Sequence, residues 1–414
     1  MSAAPPKRKA KRRRSGTAKW HMSRAAINLS IVDVYQMETT ACLDLLVEAR
    51  FGSWNTVRCP SCGTIDKHTW REEEMRWKCG GCDSTFSITS ETVFAWRKLK
   101  LQDLLAGALL WINSSAGQPA LELKRHFNKT YNSAFTLQHK LREALMRGYN
   151  VGLLSGDIEI DGAHQSGKNS VEKRGRPQGR IKSKSGQPPA DLTRATGTSR
   201  VKERQEQIRE GAYDPDFHKK LPKDRRFFIT VRKRSGTREQ GAAGSRVAIG
   251  MVEDTKVAKS VIDKFVAKSE SFLNTDTANA YEALGEEFID HRTVEHGDEL
   301  VGPNGENNNL AEELNFRFDR AEQGVYLNIE PKYMLDYAVE TAFRADTRRL
   351  PNGATLRVAL GIALNVGLSK FWRGFTHGKH RTDELLDPHP RASPSSGPEK
   401  GRDPFSNARG RPPR

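Results

Sequence analysis

Two groups of residues in this chain have the types and spacing of metal ligands, and the first is a cysteine quartet. Cys59 and Cys62 form one CxxC pair, and Cys79 and Cys82 form a second, with 16 residues between the pairs. A two-residue spacer lets both thiolates of a pair turn onto one tetrahedral ion, which favours Zn²⁺. Two disulfides would need an oxidising compartment, and a redox pair would not need a duplicate. The quartet therefore predicts a structural zinc ribbon, and Cys42 is interpreted as a buried free thiol.

The second group is a set of acids. In the stretch GDIEID, two isoleucines alternate with Asp157, Glu159 and Asp161, which predicts a strand with one face in a core. Downstream, Asp276 ends an apolar strand and Glu312 lies on a helical stretch, with 35 residues between them. Taken singly, an Asp at a strand end more often caps the following helix. Carboxylates are nevertheless hard ligands for Mg²⁺ or Mn²⁺, and a two-ion site suits phosphoryl transfer.

The composition favours a polyanionic partner. The chain has 414 residues, with 68 Lys and Arg against 51 Asp and Glu, a formal net charge of +17 and a pI near 9.7. Each phosphate that a basic protein neutralises releases condensed counterions, which strengthens binding to nucleic acid. No apolar run approaches the ~20 residues of a spanning helix, and no secretory pattern opens the chain. We therefore expect a cytoplasmic, nucleoid-associated protein, or a nuclear one in a eukaryotic host, without a membrane partner.

The elements around these residues predict an α/β chain of several modules. Strands followed by a helix that carries the last acid fit an RNase H-like mixed-sheet catalytic domain. Before it lie the small zinc ribbon and three predicted helices at 101–113, 119–127 and 131–148, of which the last two resemble a helix-turn-helix. Within the catalytic domain we expect a strand at 225–234 and helices at 255–268 and 278–284. The predicted organisation is a basic disordered tail at 1–24, a helix plus zinc ribbon at 25–98, a helix-turn-helix-like DNA-binding module at 99–150, a catalytic domain at 151–355 with a basic insertion at 165–222, and a largely disordered C-terminal extension at 356–414.

Polar residues on the predicted helix-turn-helix are candidates for contact with DNA. They are Lys129, Asn132, Gln138, Lys140 and Arg142. For each of them singly, a solvated surface position is the alternative interpretation. The same holds for the tryptophans of the ribbon, Trp70 and Trp77, which we interpret as packing over its small core.

With these features in place, the chain resembles the zinc-ribbon DDE transposases of bacterial insertion sequences and their eukaryotic relatives called Merlin. The resemblance runs from about 45 to 353 and includes the ribbon, the helices ending LQHKLREAL, and the stretches EIDGAH and TDTANAYEAL. Its most specific block matches the terminal helix of the family in order, at Tyr337, Glu340, Phe343, Arg344, Asp346, Arg348 and Arg349.

The resemblance implies a catalytic site and a set of partners. The DDE catalytic triad would be Asp161, Asp276 and Glu312, holding Mg²⁺ or Mn²⁺, and His296 matches a histidine that the family carries before its third acid. Arg320, Arg344 and Arg348 would contact DNA. The partners would be double-stranded DNA at the element ends and at the target, bound by a homo-oligomer.

Alternatives stay open at two levels. Glu306 and Glu313 compete with Glu312 as the third ligand, and Asp157 and Glu159 are interpreted as solvent-facing or rim residues. At the level of function, a non-catalytic DNA-binding regulator derived from a transposase and a metal-dependent nuclease of the same fold are the rivals of the transposase.

Overall fold

The computed structural model describes Trp20 and residues 22–166, 225–236, 241–276, 287–294, 307–327 and 329–387. At Ser166, Asp276 and Val294 it describes the backbone alone. All structural statements below concern these residues. Most of the predicted insertion at 165–222, the helix predicted over 278–284, and His296 and Glu306 lie outside them.

A small antiparallel sheet carries the cysteines. Strands β1 (His68–Arg71), β2 (Arg76–Cys79) and β3 (Thr85–Phe86) are ordered β1-β2-β3. Trp70 and Trp77 are direct cross-strand partners, their ring centroids lie 4.7 Å apart, and Trp77 is buried. The prediction that these tryptophans pack over the ribbon core is therefore confirmed.

Helices precede and follow this small sheet along the chain. They are α1 (Ile31–Gln36), α2 (Thr39–Phe51), α3 (Leu101–Asn113), α4 (Ala120–Phe127), α5 (Tyr131–Gly148), α6 (Thr255–Phe265), α7 (Asn309–Ala321), α8 (Met334–Thr347) and α9 (Asn352–Asn365). A π-helical turn, Glu322–Tyr326, follows α7 directly, and short 3₁₀ turns lie at Arg24–Ala26, Trp54–Thr56, Pro331–Tyr333 and Phe375–His377. Helix α9 packs against α2 and α5, and α8 packs against α5 and α7.

A mixed five-stranded sheet forms the second layer. Its strands are β4 (Leu154–Ser166), β5 (Arg225–Arg234), β6 (Ala242–Gly250), β7 (Val266–Asp276) and β8 (Asp290–Val294), in the order β6-β5-β4-β7-β8. The pairs β4–β5 and β5–β6 are antiparallel, whereas β4–β7 and β7–β8 are parallel. This mixed α/β arrangement is compatible with the RNase H-like fold expected from the sequence.

The alternation along β4 separates the two faces of this sheet. Ile158 and Ile160 are buried in one core cluster, together with α6 residues such as Val261. Phe228, on the opposite face of β5, belongs to a second cluster with Leu314 of α7. The acids of β4 therefore point to the face that α7 covers, because successive side chains of a strand alternate between faces.

That second cluster also contains the ribbon and the N-terminal helices. It joins Cys59, Leu105, Phe228 and Leu360 in one contiguous core. The predicted boundaries at 98, 150 and 355 thus pass through a shared interior and do not separate independent cores. The prediction of a largely disordered C-terminal extension is wrong for 356–387, since most of α9 and the buried Trp372 lie there.

No helix in the described parts of the chain is long and apolar enough to cross a membrane.

Candidate functional site

Two of the predicted catalytic acids lie side by side where β7 ends against the middle of β4. The two strands pair in parallel, with Ile160 opposite Thr275 as the last partners. Asp161 and Asp276 are the next residues on each strand, so they occupy equivalent positions on neighbouring strands about 4.8 Å apart. The backbone register therefore places the first and second acids together at one edge of the sheet.

Helix α7 brings the third acid to the same edge. Glu312 and Asn315 lie three residues apart in the first turns of α7, so they share one face of the helix. The amide nitrogen of Asn315 donates to Oδ2 of Asp161 at 2.6 Å, and Thr230 of β5 donates to Oδ1 of Asn315 at 2.6 Å. Asn315 thus joins α7 to the two central strands and places the Glu312 turn over Asp161.

A second acid of β4 fixes the start of α7. Glu159 is fully buried, and its carboxylate accepts the backbone N–H groups of Leu310 at 2.7 Å and Ala311 at 3.2 Å. Arg234 donates to the same carboxylate at 2.6 Å. Burial raises the pKa of Glu159, while these bonds oppose the shift. A carboxylate at a helix N-terminus compensates the unpaired N–H groups and the helix dipole.

The rim interpretation of the β4 acids is therefore wrong for Glu159, which is a buried structural group. Asp157, in contrast, is partly exposed, with a side-chain exposure of 36%. It accepts from Asn274 of β7 at 2.6 Å and from Arg234 at 3.2 Å. Of the three acids in the row, Asp161 is the one that lies beside Asp276, at the point where β7 ends.

Glu313, the rival third ligand, faces away from this edge. Its carboxylate lies 2.7 Å from Arg317, 3.0 Å from Arg348 and 3.3 Å from Arg232. Burial raises the pKa of Glu313, but the bonds and charges of Arg317 and Arg348 outweigh it and lower the pKa to about 2. This carboxylate is already compensated by guanidinium groups.

The four paired cysteines converge on one point. Their sulfur atoms all lie within 4.8 Å of one another, with 3.7 Å between Cys59 and Cys82 and 3.5 Å between Cys62 and Cys79. These separations exceed a disulfide bond and approach the ~3.8 Å edge of a tetrahedron with Zn–S distances of about 2.3 Å. The quartet fits a tetrahedral thiolate site, and Cys42 is a buried free thiol elsewhere, as predicted.

Glycines shape the two cysteine turns. Gly63 follows the first pair with a φ of +77°, a conformation that side chains with a Cβ rarely adopt. A Cβ on Gly80 would lie 2.7 Å from the backbone oxygen of Lys67, which accepts the N–H of Gly80. Both turns therefore depend on the missing side chain.

The predicted DNA-binding residues of the helical module fall into two groups. Asn132 is exposed at the start of α5, and Lys129, partly exposed in the turn before it, pairs with Asp103 at 3.1 Å. Lys140 is half-buried, and burial lowers its pKa. The N-terminal end of α5 is therefore the part of the module that is open to a partner.

The expectation that Arg142 and Gln138 face DNA is corrected by the structure. Arg142 is fully buried, donates to Glu340 at 2.6 Å and stacks on Tyr337 with its guanidinium 4.0 Å from the ring centroid. Gln138 is buried and donates to the carbonyl of Gln118. Helix α5 is enclosed by α3, α4, α8 and α9 along this stretch, so its middle is core and does not form a free recognition surface.

The three arginines near the terminal block differ in accessibility. Arg344 donates to the carbonyls of Trp111, Ile112 and Ser114 at the end of α3, and to Glu340. Its side chain is 12% exposed, so it mainly joins α3 to α8. Arg348 is partly exposed and Arg320 is exposed, and both line an open groove beside α7.

Sequence reasoning missed Asn315, Thr230 and the buried role of Glu159. The position of Asn315, three residues after Glu312, was the available signal, because that spacing puts both side chains on one helix face. Thr230 and Glu159 carry no such signal, since their partners come from distant parts of the chain.

Comparison with known proteins agrees with this geometry. Residues 199–346 match the model of the family described as the ISXO2-like transposase domain. The match spans β5 to α8, including Asp276 and Glu312, and stops short of Asp161 on β4. Over these residues the chain is similar to a transposase domain of insertion sequences, which confirms the resemblance drawn from the sequence for this part of the chain. No curated protein and no solved structure gave a match.

Proposed function

We propose that this protein is a DDE transposase that binds the terminal inverted repeats of its element and catalyses DNA cleavage and strand transfer. The observation that carries the proposal is the convergence of β4, β7 and α7 at one edge of the sheet. There the Asn315–Asp161 bond and the β4–β7 register bring the sites of Asp161, Asp276 and Glu312 together. The match to a transposase family supports the same function.

We assign the mixed five-stranded sheet to the RNase H-like fold. The acids of this sheet suit Mg²⁺ or Mn²⁺, because carboxylate oxygens from three rigid elements are the hard ligands that these ions prefer. When bound, such ions would polarise the phosphate and neutralise charge during attack and departure of the oxygens. Asp161, Asp276 and Glu312 are the residues that would hold them.

The chain's own side chains supply the positioning that phosphoryl transfer needs. Asn315 orients the Asp161 carboxylate by donating to one of its oxygens, and Thr230 orients Asn315 in turn. Glu159 holds the first turn of α7 against β4, and therefore fixes the distance of Glu312 from Asp161. Preorganisation of this kind avoids rearrangement at the moment of reaction.

In this proposal the ribbon has a structural role. The four thiolates of the quartet would hold a Zn²⁺ ion, which joins β2 to the loops on either side and completes a core that the helices share. The protein would act on duplex DNA as a homo-oligomer in DNA recombination at the nucleoid. Lys129, Asn132, Lys140, Arg320 and Arg348 are the proposed contacts, with Arg344 positioning the helices.

The experiment compares the wild type with three substitutions that keep the size of each acid, namely Asp161→Asn, Asp276→Asn and Glu312→Gln. DNA fragments carrying the ends that flank the gene are incubated with Mg²⁺ or Mn²⁺, and cleavage and joining to target DNA are followed on gels. We expect each variant to bind the ends like the wild type and to lose at least about 10³-fold in cleavage, the size of effect seen when electrostatic stabilisation is removed.

The rivals predict different patterns. A wild-type protein that binds the ends but never cuts would be a regulator, and the catalytic assignments would fall. A wild-type protein that cuts but never joins would be a nuclease of this fold. Glu313→Gln serves as the matched control on the same helix, and we expect it to retain cleavage, because its carboxylate is occupied by arginines.

A further inference from the structure

Helix α7 presents a second surface, next to the edge that carries the acids. An open groove of about 1460 Å³ lies between α7, α8 and the end of α3. We call it the α7 groove. Its lining from α7, α8 and the turn after α8 includes Glu313, Phe316, Arg317, Arg320, Arg344, Arg348 and Arg349.

Among the described residues that line the α7 groove, arginines outnumber carboxylates. Glu313 is the acid in the lining, and its carboxylate is already shared by Arg317 and Arg348. In the described part of the chain, Arg320 has no carboxylate partner. Burial and the adjacent charge of Arg348 both lower the pKa of Arg349, as expected where cations lie close together. An anion entering the groove would relieve this repulsion.

An aromatic ring stands in the same groove. Phe316 is 55% exposed, although a ring of this size is ordinarily buried in a core. The guanidinium of Arg320 lies 4.4 Å from the centroid of the ring. An exposed ring beside cations is the arrangement on which bases of single-stranded nucleic acid stack, because every base has a π-face.

The position along α7 relates this ring to the acid edge. Glu312, Phe316 and Arg320 follow one another at intervals of four residues, so they form a row on one side of the helix. With a rise of 1.5 Å per residue, Phe316 lies about 6 Å and Arg320 about 12 Å beyond Glu312 along the helix axis. That distance corresponds to a few nucleotides of a strand that enters the acid edge.

We propose that the α7 groove binds unpaired DNA, with a base stacked on Phe316 and its backbone phosphates held by Arg320 and Arg348. This inference rests on the proposed function and adds to it a site for one separated strand beside the bond that is cut. A base inside an intact duplex cannot reach the ring, since both of its faces are stacked on neighbouring base pairs. The groove therefore discriminates between single-stranded and paired DNA.

The test measures binding without catalysis. The probe is a single DNA strand with one 2-aminopurine at its centre. It has about 16 nucleotides, the upper end of the range of site sizes for proteins that bind single-stranded DNA. It is titrated with protein in buffer without added divalent ion, first alone and then paired to its complement. We expect quenching of 2-aminopurine fluorescence by the wild type with the single strand, and much weaker quenching with the duplex.

Substitutions separate stacking from charge. We expect Phe316→Ala and Phe316→Leu to lose the quenching and about 10-fold in affinity for the single strand, whereas Phe316→Trp retains both. Arg320→Gln is expected to reduce the slope of log affinity against log salt by about one unit. The matched control is Trp96→Ala, which removes another exposed ring covered by an arginine, Arg373 at 4.2 Å.

Two outcomes would overturn the proposal. The first is a Phe316→Leu variant that quenches the fluorescence and binds the single strand as the wild type does. The second is a Trp96→Ala variant that loses as much affinity for the single strand as Phe316→Ala, which would indicate a general surface effect. Melting curves of all variants confirm folding. If the groove variants behave normally while Asp161→Asn stops cleavage, the groove inference fails and the proposed function stands. If stacking depends on Phe316 but the wild type never cuts, the proposed function fails and the groove stands.

Discussion

Two arginine-rich regions share helix α8, and they are built in opposite ways. At the α5–α8 interface, the buried Glu340 carboxylate accepts from Arg142 at 2.6 Å, from Arg344 at 2.6 Å and from Tyr326 at 3.0 Å. In the α7 groove, by contrast, Arg317 and Arg348 share the single carboxylate of Glu313, and Arg320 has no carboxylate partner in the described chain.

The difference shows how a structural arginine can be distinguished from one available to a ligand. Arginines of both regions belong to the blocks that carry the family resemblance, Arg142 and Arg344 at the interface and Arg348 in the groove. The resemblance alone therefore does not separate the two kinds of arginine. Burial together with a compensating carboxylate assigns Arg142 and Arg344 to the interior. Exposure together with uncompensated charge assigns Arg320 to a partner.

The largest expected effect is from removing the shared acceptor of the α5–α8 interface. Glu340→Ala leaves two guanidinium groups without their carboxylate in a dry interior, so we expect a loss of about 3–5 kcal/mol in the free energy of unfolding. Urea unfolding followed by circular dichroism measures it. A loss below about 1 kcal/mol would show that the interface is not a compensated network and would remove the contrast with the groove.

The neighbouring pair, His139 and Asp336, predicts a pH dependence. Nδ1 of His139 lies 3.2 Å from Oδ1 of Asp336. The charged groups of Arg142 and Arg381 and the hydroxyl of Tyr337 also face the His139 ring. Burial, aided by the charge of Arg142, lowers the pKa of His139 to about 4, against an unfolded value near 6.5. Below pH 6.5 the unfolded chain binds the extra proton, so stability is complete above this value and falls toward pH 4.

We expect this titration to contribute at most about 3 kcal/mol between pH 6.5 and 4. The measurement is the slope of unfolding free energy against pH in the wild type and in His139→Leu. The variant lacks the titrating ring, so its slope over this window should be shallower. Equal slopes would show that His139 is not held neutral by the interior.

A smaller effect is expected from the donor side of the interface. Arg142→Met removes one bond to Glu340, while Arg344 and Tyr326 still bind that carboxylate. Nη1 and Nη2 of Arg142 make no hydrogen bond with a described protein atom. We therefore expect a loss of about 1–2 kcal/mol, less than half that of Glu340→Ala in the same urea experiment. Equal losses of unfolding free energy in Arg142→Met and Glu340→Ala would mean that Arg142 and Glu340 act as one unit.

The smallest effect is expected in the α7 groove. Arg320→Ala removes an exposed side chain that contacts Phe316, so the free energy of unfolding should change by no more than about 0.5 kcal/mol. Urea unfolding beside a measurement of affinity for DNA sharpens the comparison. A stability loss as large as that of Arg142→Met would show that Arg320 is a structural residue like those of the closed interface.

Local features of the fold were predicted well from the sequence. The helices at Leu101–Asn113 and Tyr131–Gly148 and the strand Arg225–Arg234 have the predicted bounds, because apolar periodicity and short turns define them locally. The helix predicted to continue to residue 268 instead ends at Phe265, and β7 begins at Val266. Pairing of Val266 with Leu154 of β4 outweighs the helical preference of the last residues.

Contacts between distant segments were the part that sequence patterns could not supply. Gln138 and Arg142 suggested an exposed helix face, but Gln138 donates to the carbonyl of Gln118, and the carboxylate that compensates Arg142 stands on α8, nearly 200 positions later. For the catalytic edge, spacing and resemblance predicted Asp161, Asp276 and Glu312, and that assignment stays a prediction. The bond from Asn315 to Asp161 required the packing of α7 on the sheet.

The register of β4 against β5 also bears on how such a domain acquires new sequence. Ser166 and Arg225 are paired across the two strands, so the stretch from 167 to 224 leaves and re-enters the sheet at adjacent positions. Closing a loop whose ends already meet costs little more as it lengthens, about 0.6 kcal/mol for each doubling. Because Ser166 and Arg225 are direct partners, a change of length between them need not alter the β4–β5 register or the position of Asp161, five residues before Ser166.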